Sequence, residues 1–191
     1  MKRHQELLTA AIERDGDGQR ALFLGDAAGA RSAFLEASEL YRESWREAPP
    51  GSYGRLVGML KSAVLAGAGE EAASYAARAL EGQGENSPTA AYARALVALI
   101  AGEDAAAASA SERMRGGSEA FDRTADAIAA LARDDGAGYS AALAAIVRDF
   151  EQRAEHLTGV AVADTAVVLE RLAARRGLGA QLSSAALPPN R

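Results

Sequence analysis

The sequence predicts an all-α protein, on three observations. About a quarter of the 191 residues are Ala, the strongest helix former. The β-branched residues that favour strands are scarce along the whole chain. Apolar side chains recur every three or four residues, as they do on the buried face of an amphipathic helix. We therefore expect about nine helices, paired as antiparallel hairpins that stack into a short right-handed superhelix.

The first five predicted helices are separated by Gly, Pro and acidic residues. Asp15-Gly16-Asp17-Gly18 interrupts the first apolar stripe, so we expect the first helix to end or loosen there. Pro49-Pro50-Gly51 stops the second helix. Ser87 followed by Pro88 is typical of an N-cap and a first helical position. The predicted ranges are 3–14, 26–48, 53–66, 70–81 and a fifth helix that begins at 88.

The last four predicted helices cover 104–115, a segment that begins after Ser118, a segment around 139–157, and 162–176. The eighth has the most regular apolar stripe, formed by Tyr139, Leu143, Ile146, Val147, Phe150 and Leu157. Arg171, Arg175 and Arg176 fit the negative end of the dipole of the ninth helix, and Gly177 suits its left-handed cap. We expect one domain over residues 1–177 and an extended tail, residues 178–191, that docks on the last helices.

Composition excludes several classes of function. The chain has no Cys, which excludes disulfides, thiol catalysis and Cys-ligated metals. Its net charge of −5 argues against a nucleic-acid partner. The sequence has no apolar run of membrane-spanning length and no apolar leader segment, so we expect a cytoplasmic protein without a membrane partner.

Metal and cofactor motifs are absent or incomplete. Asp15-Gly16-Asp17-Gly18 resembles part of a calcium-binding loop, but Leu24 stands where the bidentate carboxylate is needed. We expect a solvated turn at these residues. The two His residues lie in no metal-binding pattern, and no phosphate-binding loop occurs. No cofactor is expected.

An internal repeat follows three of the glycines. Gly25-Asp26 precedes Ala30, Phe34 and Ala37, and Gly67 and Gly102 precede comparable Ala-rich segments at intervals of a two-helix unit. Over residues 21–150 this pattern resembles the second half of the tetratricopeptide repeat. The resemblance implies a curved solenoid that binds peptides or proteins on its concave face.

A second resemblance lies near the C-terminus. Its marks are Glu155-His156, Ala163-Asp164-Thr165, Leu172-Ala173, Arg176-Gly177, Ser183-Ser184 and Leu187-Pro188. This segment resembles the ending of an all-helical immunity-protein family found beside bacterial polymorphic toxins. The resemblance implies a cytoplasmic inhibitor that binds a toxin domain.

Acidic residues recur at the turns between predicted helices, and two interpretations remain open. Each acid can cap the following helix and complement its dipole. Alternatively, stacked hairpins align the turns into an acidic ridge that attracts a basic partner. The residues are Asp26, Glu70, Glu71, Glu103, Asp104, Asp134 and Asp135.

The function we expect is a non-enzymatic protein-binding module, in its most specific form an immunity protein for a basic toxin domain. One alternative is a ligand-binding or enzymatic protein with a pocket around Glu155, His156 and Asp164. Another is a structural homodimer that packs through Ala-rich helix faces. A protein binder should present an exposed ridge or groove. A ligand binder or enzyme should instead enclose a pocket with convergent titratable groups whose pKa values are shifted.

Overall fold

The structure, a computed structural model that describes residues 2–189, confirms the all-α prediction. Within that range it contains nine α-helices and no strand. The helices are α1 (Arg3–Leu24), α2 (Ala27–Glu47), α3 (Gly54–Ala66), α4 (Gly69–Ala79), α5 (Pro88–Ala101), α6 (Asp104–Glu112), α7 (Glu119–Ala132), α8 (Gly136–Gln152) and α9 (Asp164–Ala174).

Helices adjacent in sequence pack against each other from α1 to α8, which is the packing of a helical stack. In addition, α3 contacts α5, and α5 contacts α7, so alternate helices form a row. The last helix does not extend the stack. It contacts α3, α7 and α8, and so lies across the row formed by α3, α5 and α7.

The first helix corrects the prediction of a break near residue 14. Helix α1 continues through Asp15-Gly16-Asp17-Gly18 to Leu24, and Asp15 is buried rather than solvated. These glycines serve close packing inside a helix. A Cβ atom on Gly18 would lie 2.7 Å from the Phe34 ring, and one on Gly16 would lie 3.0 Å from the carbonyl oxygen of Thr158. The prediction of a solvated turn was therefore wrong at this motif.

Most other boundaries fall within a few residues of the predicted ones, because local signals set them. Ser87 accepts a hydrogen bond from the Ala90 N–H and begins α5 as its N-cap. The C-cap glycines of α1, α3 and α5 are Gly25, Gly67 and Gly102. Each takes a left-handed φ of 73–76°, a region that favours glycine.

Helix α8 ends earlier than its predicted stripe. The helix stops at Gln152, and Arg153 turns to extended backbone. Leu157 therefore lies in the connection to α9 and is 79% exposed, so its assignment to the buried stripe was wrong. Of the remaining stripe residues, Tyr139, Leu143, Ile146 and Val147 are buried, and Phe150 is half-buried.

Arg171 in the last turn of α9 and Arg176, two residues past its end, bond to the ends of other helices. Arg171 donates to the carbonyl oxygen of Leu65 over 2.5 Å, and Arg176 donates to that of Leu99 over 2.9 Å. These carbonyls lie in the last turns of α3 and α5, where intrahelical donors run out. Arg176 also donates to the carbonyl oxygen of Leu172, in the last turn of α9. The arginines thus stabilise three helix ends and fasten α9 across the row.

The segment after α9 lies on α8 and α9. Its Ala186 carbonyl accepts from the Ala163 N–H over 2.8 Å, and Ala186 and Leu187 are buried. The N–H groups of Ala180 and Gln181 donate to the Glu170 carboxylate. The last two residues of the predicted tail, Asn190 and Arg191, lie outside the described residues, as does Met1 of the predicted domain.

Candidate functional site

A cavity of about 490 Å³ lies where α1, α3, α7 and α8 meet the connection from Arg153 to Ala163 and the start of α9. We call it the pocket. Its walls are largely apolar, whereas its polar side chains come from seven helices and the α8–α9 connection. The polar and charged lining residues include Asp15, Tyr41, Arg55, Lys61, Tyr92, Arg123, Asp149, Arg153, His156, Asp164 and Thr165.

The most deeply buried carboxylate of the pocket belongs to Asp15. Its Oδ2 accepts from the Tyr41 hydroxyl over 2.9 Å, and its Oδ1 accepts from the Ser62 hydroxyl over 2.6 Å. Burial raises the pKa of Asp15 to about 6, although the two hydroxyl donors act in the opposite direction. Burial and the neighbouring Asp15 charge also raise the pKa of Tyr41, which keeps its hydroxyl protonated as a donor.

A second buried pair joins α3 to α9. Lys61 Nζ lies 2.5 Å from Asp164 Oδ2 and donates to the Thr165 hydroxyl over 3.1 Å. The side chains are only 16% and 24% exposed. Burial is the largest single effect and lowers the pKa of Lys61. The charge and hydrogen bond of Asp164, with smaller effects of Tyr92 and Asp15, together outweigh it, so the net direction is upward. An ammonium has three N–H donors, and two are used here.

Tyr92 of α5 contributes a buried hydroxyl without a partner. Its ring packs edge-on against Phe121 at 5.9 Å between centroids. The Thr165 hydroxyl lies close to its oxygen. Neither that hydroxyl nor any other donor or acceptor in the described part of the chain meets hydrogen-bond geometry there. Burial raises the pKa of Tyr92, while the charge of Lys61 acts in the opposite direction, which indicates that the two groups are close. Native structures rarely leave such a hydroxyl unpaired.

The more exposed part of the lining is rich in arginine. Asp149 of α8 accepts from Arg123 over 2.7 Å and from Arg153 over 2.5 Å. The Arg153 guanidinium also lies over the Phe150 ring at 3.9 Å. The His156 ring also stacks on the Phe150 ring, with 6.3 Å between the ring centroids and an interplanar angle of 18°.

Arg55, in the first turn of α3, has no carboxylate partner among residues 2–189. Its Nε donates to the Ser44 hydroxyl over 2.8 Å, and its Nη2 lies 3.1 Å from His4 Nδ1. Burial lowers the pKa of Arg55, but a guanidinium stays charged near neutral pH. Its charge is therefore uncompensated by any acid in that range.

Of the three pocket residues predicted from sequence, His156 and Asp164 line the pocket. Glu155 is exposed and does not line it. His156 Nδ1 is buried and has no hydrogen-bond partner within the described chain.

Sequence reasoning missed Asp15, Lys61 and Tyr92. Asp15 was assigned to a turn, and Tyr92 belongs to none of the predicted sites. The sequence around Lys61 did contain a signal, because Arg55 and Lys61 are the only charged residues in the largely apolar α3. Both of them line the pocket.

Two of the predicted acidic turn residues act as N-caps. Asp26 accepts from the Gly29 N–H over 2.9 Å at the start of α2. Asp135 accepts from the Gly138 N–H over 2.8 Å at the start of α8. Both side chains thus satisfy helix donors that lack intrahelical partners.

Two further turn acids pair with the end of α9. Glu70 lies 3.5 Å from Arg175, and Asp104 lies 2.8 Å from Arg176. One helix end therefore reaches the turns before α4 and α6, which places those turns on the same edge of the stack. The other acids are exposed and make no ion pair within the described residues: Glu71, Glu103 and Asp134.

Neither a metal centre nor a membrane span is found within residues 2–189. No group of three or more His, Asp or Glu side chains there is arranged to hold a metal ion. None of the helices in that range combines the length and apolarity needed to cross a bilayer. Comparison with protein-family models, curated proteins and solved structures finds no match to this chain. The fold and the pocket define its class, an all-α protein whose cavity combines largely apolar walls with several polar groups.

Proposed function

We propose that this chain is a small-molecule-binding protein whose ligand occupies the pocket. The observation that supports the proposal most strongly is the buried Tyr92 hydroxyl, which lacks a partner beside a cavity of about 490 Å³. Pockets that hold small ligands measure roughly 300–1,000 Å³ and combine apolar walls with a few convergent polar groups. The pocket has a volume in this range, and its largely apolar walls carry several polar groups.

The energetics support a functional role for these groups. Leaving a buried hydroxyl unpaired costs about 1–3 kcal/mol. Ionising Asp15 above its raised pKa carries a further cost, because the charged carboxylate is buried. Ionisable groups with pKa values shifted by burial are found most often at binding and catalytic sites. A purely structural core would reach the same packing with apolar side chains.

The chemistry of the pocket favours binding over catalysis. The net rise in the pKa of Lys61 keeps its amine protonated, whereas a nucleophilic lysine needs a lowered pKa. The single proton of the Ser62 hydroxyl is directed to Asp15 at 2.6 Å, with the Gly58 carbonyl oxygen at 2.9 Å, and the hydroxyl forms no hydrogen bond to a His within the described residues. The lining residues Lys61, Tyr92 and Thr165 supply donors and acceptors to a bound molecule.

Screening a small-molecule library tests the proposal. Thermal shift identifies candidate ligands, and isothermal titration calorimetry measures their affinity and stoichiometry. We expect a ligand that binds one-to-one to the wild type and at least tenfold more weakly to Tyr92→Phe, which removes the unpaired hydroxyl and keeps the fold. The control is Arg31→Gln, since Arg31 is exposed and makes no ion pair within residues 2–189. A ligand that binds the wild type, the pocket variant and the Arg31→Gln control with equal affinity would bind outside the pocket, which would contradict the proposal.

The acidic edge favours a second candidate function, the binding of a basic protein such as the toxin domain implied by the immunity-protein resemblance. Six of the seven turn acids are exposed, and only Asp104 is partly buried. The test replaces Glu71, Glu103 and Asp134 with Lys and leaves the caps Asp26 and Asp135 intact. Under this function, a basic partner binds at low salt, is released at about 1 M salt, and fails to bind the triple variant.

A further inference from the structure

We infer that the ligand of the pocket is an organic acid, a small molecule with one anionic group that pairs with Arg55 and an apolar body that lies against the pocket walls. This inference rests on the proposed function and specifies its ligand class. Three independent features support it: the charges of the lining, the helix ends that reach the pocket, and the position of its apolar walls.

The lining carries more positive than negative charge. Its four cations are Arg55, Lys61, Arg123 and Arg153, and its three carboxylates are Asp15, Asp149 and Asp164. This excess stands out in a chain whose net charge is −5. A pocket of the opposite sign to its protein attracts an anion locally, although the surface as a whole repels it.

Each carboxylate of the lining already has partners, whereas one cation does not. Asp149 accepts from two arginines, and Asp164 pairs with Lys61. Asp15 accepts from two hydroxyls. The polar contacts of Arg55 are to Ser44 and His4, and neither is a carboxylate. A guanidinium has five N–H donors, so Arg55 retains donors for a carboxylate.

Helix ends add positive potential at the pocket. The first turns of α3, α7 and α9 supply lining residues, among them Gly54, Phe121 and Thr165. The unpaired N–H groups of a helix N-terminus carry a partial positive charge that favours anions. Asp164 offsets this charge in α9, and Glu119 and Asp122 offset it in α7. The first turn of α3 contains no acid, so α3 makes the larger contribution.

The pocket also specifies the orientation of the acid. Around Lys61 two carboxylates, Asp15 and Asp164, face one ammonium and disfavour a further anion. The acid group therefore lies at Arg55 rather than at Lys61. The body of the ligand contacts the apolar walls, which include Leu8, Ile12, Val57, Phe121, Ile146 and Val162.

Three probes of equal chain length test the sign of the charge. Octanoate, octanol and octylamine share an apolar body and carry a negative, a neutral and a positive head group. Calorimetric titration of the full chain at neutral pH should rank octanoate first, octanol second and octylamine last. Octylamine or octanol binding as tightly as octanoate would overturn the inference while leaving the proposed function intact. Failure of all three probes to bind would also overturn the inference, whereas the proposed function fails only if the library screen finds no ligand.

A variant at Arg55 tests the position of the acid group. Arg55→Gln should weaken octanoate binding roughly tenfold or more, the loss of one charge-assisted hydrogen bond, with octanol unchanged. Arg55→Lys keeps the charge and should recover part of the affinity even if the contacts to Ser44 and His4 are lost. Arg31→Gln is the matched surface control. An unchanged octanoate affinity in Arg55→Gln, with circular dichroism equal to the wild type, would contradict the inference.

Discussion

The hydroxyl of Ser62 donates to the carboxylate of Asp15 over 2.6 Å and joins α1 to α3 across 47 positions of sequence. Tyr41 of α2 donates to the other oxygen of the same carboxylate. One buried side chain thus connects three helices and lines the pocket. The position of this carboxylate accounts for both the course of α1 and the pH behaviour expected of the protein.

Asp15→Asn should change how stability depends on pH. In the native state the pKa of Asp15 is about 6, compared with 3.8 for an unperturbed Asp. The folded protein therefore binds this proton more tightly than the unfolded chain does. The stabilisation from Asp15 is complete below about pH 4 and is lost as the pH rises through about 6. The difference between the two pKa values corresponds to about 3 kcal/mol.

Urea unfolding of both proteins between about pH 4 and pH 8 measures this effect. The free energy of unfolding of Asp15→Asn, relative to the wild type, should increase across that interval, because Asn cannot ionise. Taking the difference cancels groups that titrate equally in both proteins. Parallel curves would show that the carboxyl ionises in the native state as it does in the unfolded chain.

Tyr92→Phe should stabilise the protein by about 1 kcal/mol, because it removes a buried hydroxyl that has no partner. Tyr139→Phe is the matched control. The Tyr139 hydroxyl donates to Glu170 over 2.8 Å, so its removal should destabilise the protein by a similar amount. Chemical denaturation of the three proteins gives both values. A loss of stability in Tyr92→Phe equal to that in Tyr139→Phe would mean that the Tyr92 hydroxyl is bonded in solution.

Gly18→Ala should destabilise the protein even though Ala is the better helix former. The added Cβ would lie 2.7 Å from the Phe34 ring, and overpacking of this kind costs about 1–3 kcal/mol. Gly54→Ala is the control, because no atom lies within 4 Å of its added Cβ. That change should be neutral or slightly stabilising. Equal effects at both positions would contradict the continuous α1 and its packing on α2.

Helices were predictable where local signals set them. Ser87-Pro88 begins α5, and the glycines after α3 and α5 end those helices as expected. At Asp15-Gly16-Asp17-Gly18 the local signal failed, because contact with Phe34 of a different helix decides the conformation. Turn chemistry and close packing both require glycine, and a single sequence does not distinguish the two uses.

The pocket was predictable only in part, because its groups are distant in sequence. Asp15, Lys61, Tyr92 and Asp164 meet only after α9 lies across α3 and α7. His156 and Asp164 were predicted together because they are close in the chain. Nothing in the spacing of Lys61 and Asp164 indicates a pair, since no periodicity links residues a hundred positions apart.

Removing one partner of the Lys61–Asp164 pair should lower the free energy of unfolding more than removing both partners. Lys61→Met leaves the Asp164 carboxylate largely buried without its cation, and such a change costs about 3–5 kcal/mol. The double variant Lys61→Met/Asp164→Leu removes the charge as well and should recover most of that loss. A double-mutant cycle of unfolding free energies measures the coupling. Additive losses would contradict a direct pair between α3 and α9.

A ¹⁵N–¹H NMR titration of the labelled full chain with octanoate tests directly whether the pocket binds a small organic acid. Binding in the pocket should give saturable shift changes that concentrate at Arg55, Lys61, Tyr92, Phe121 and Thr165 and leave the acidic turns before α2 and α6 unaffected. Shift changes confined to those turns, spread evenly over the surface or absent at millimolar octanoate would contradict it.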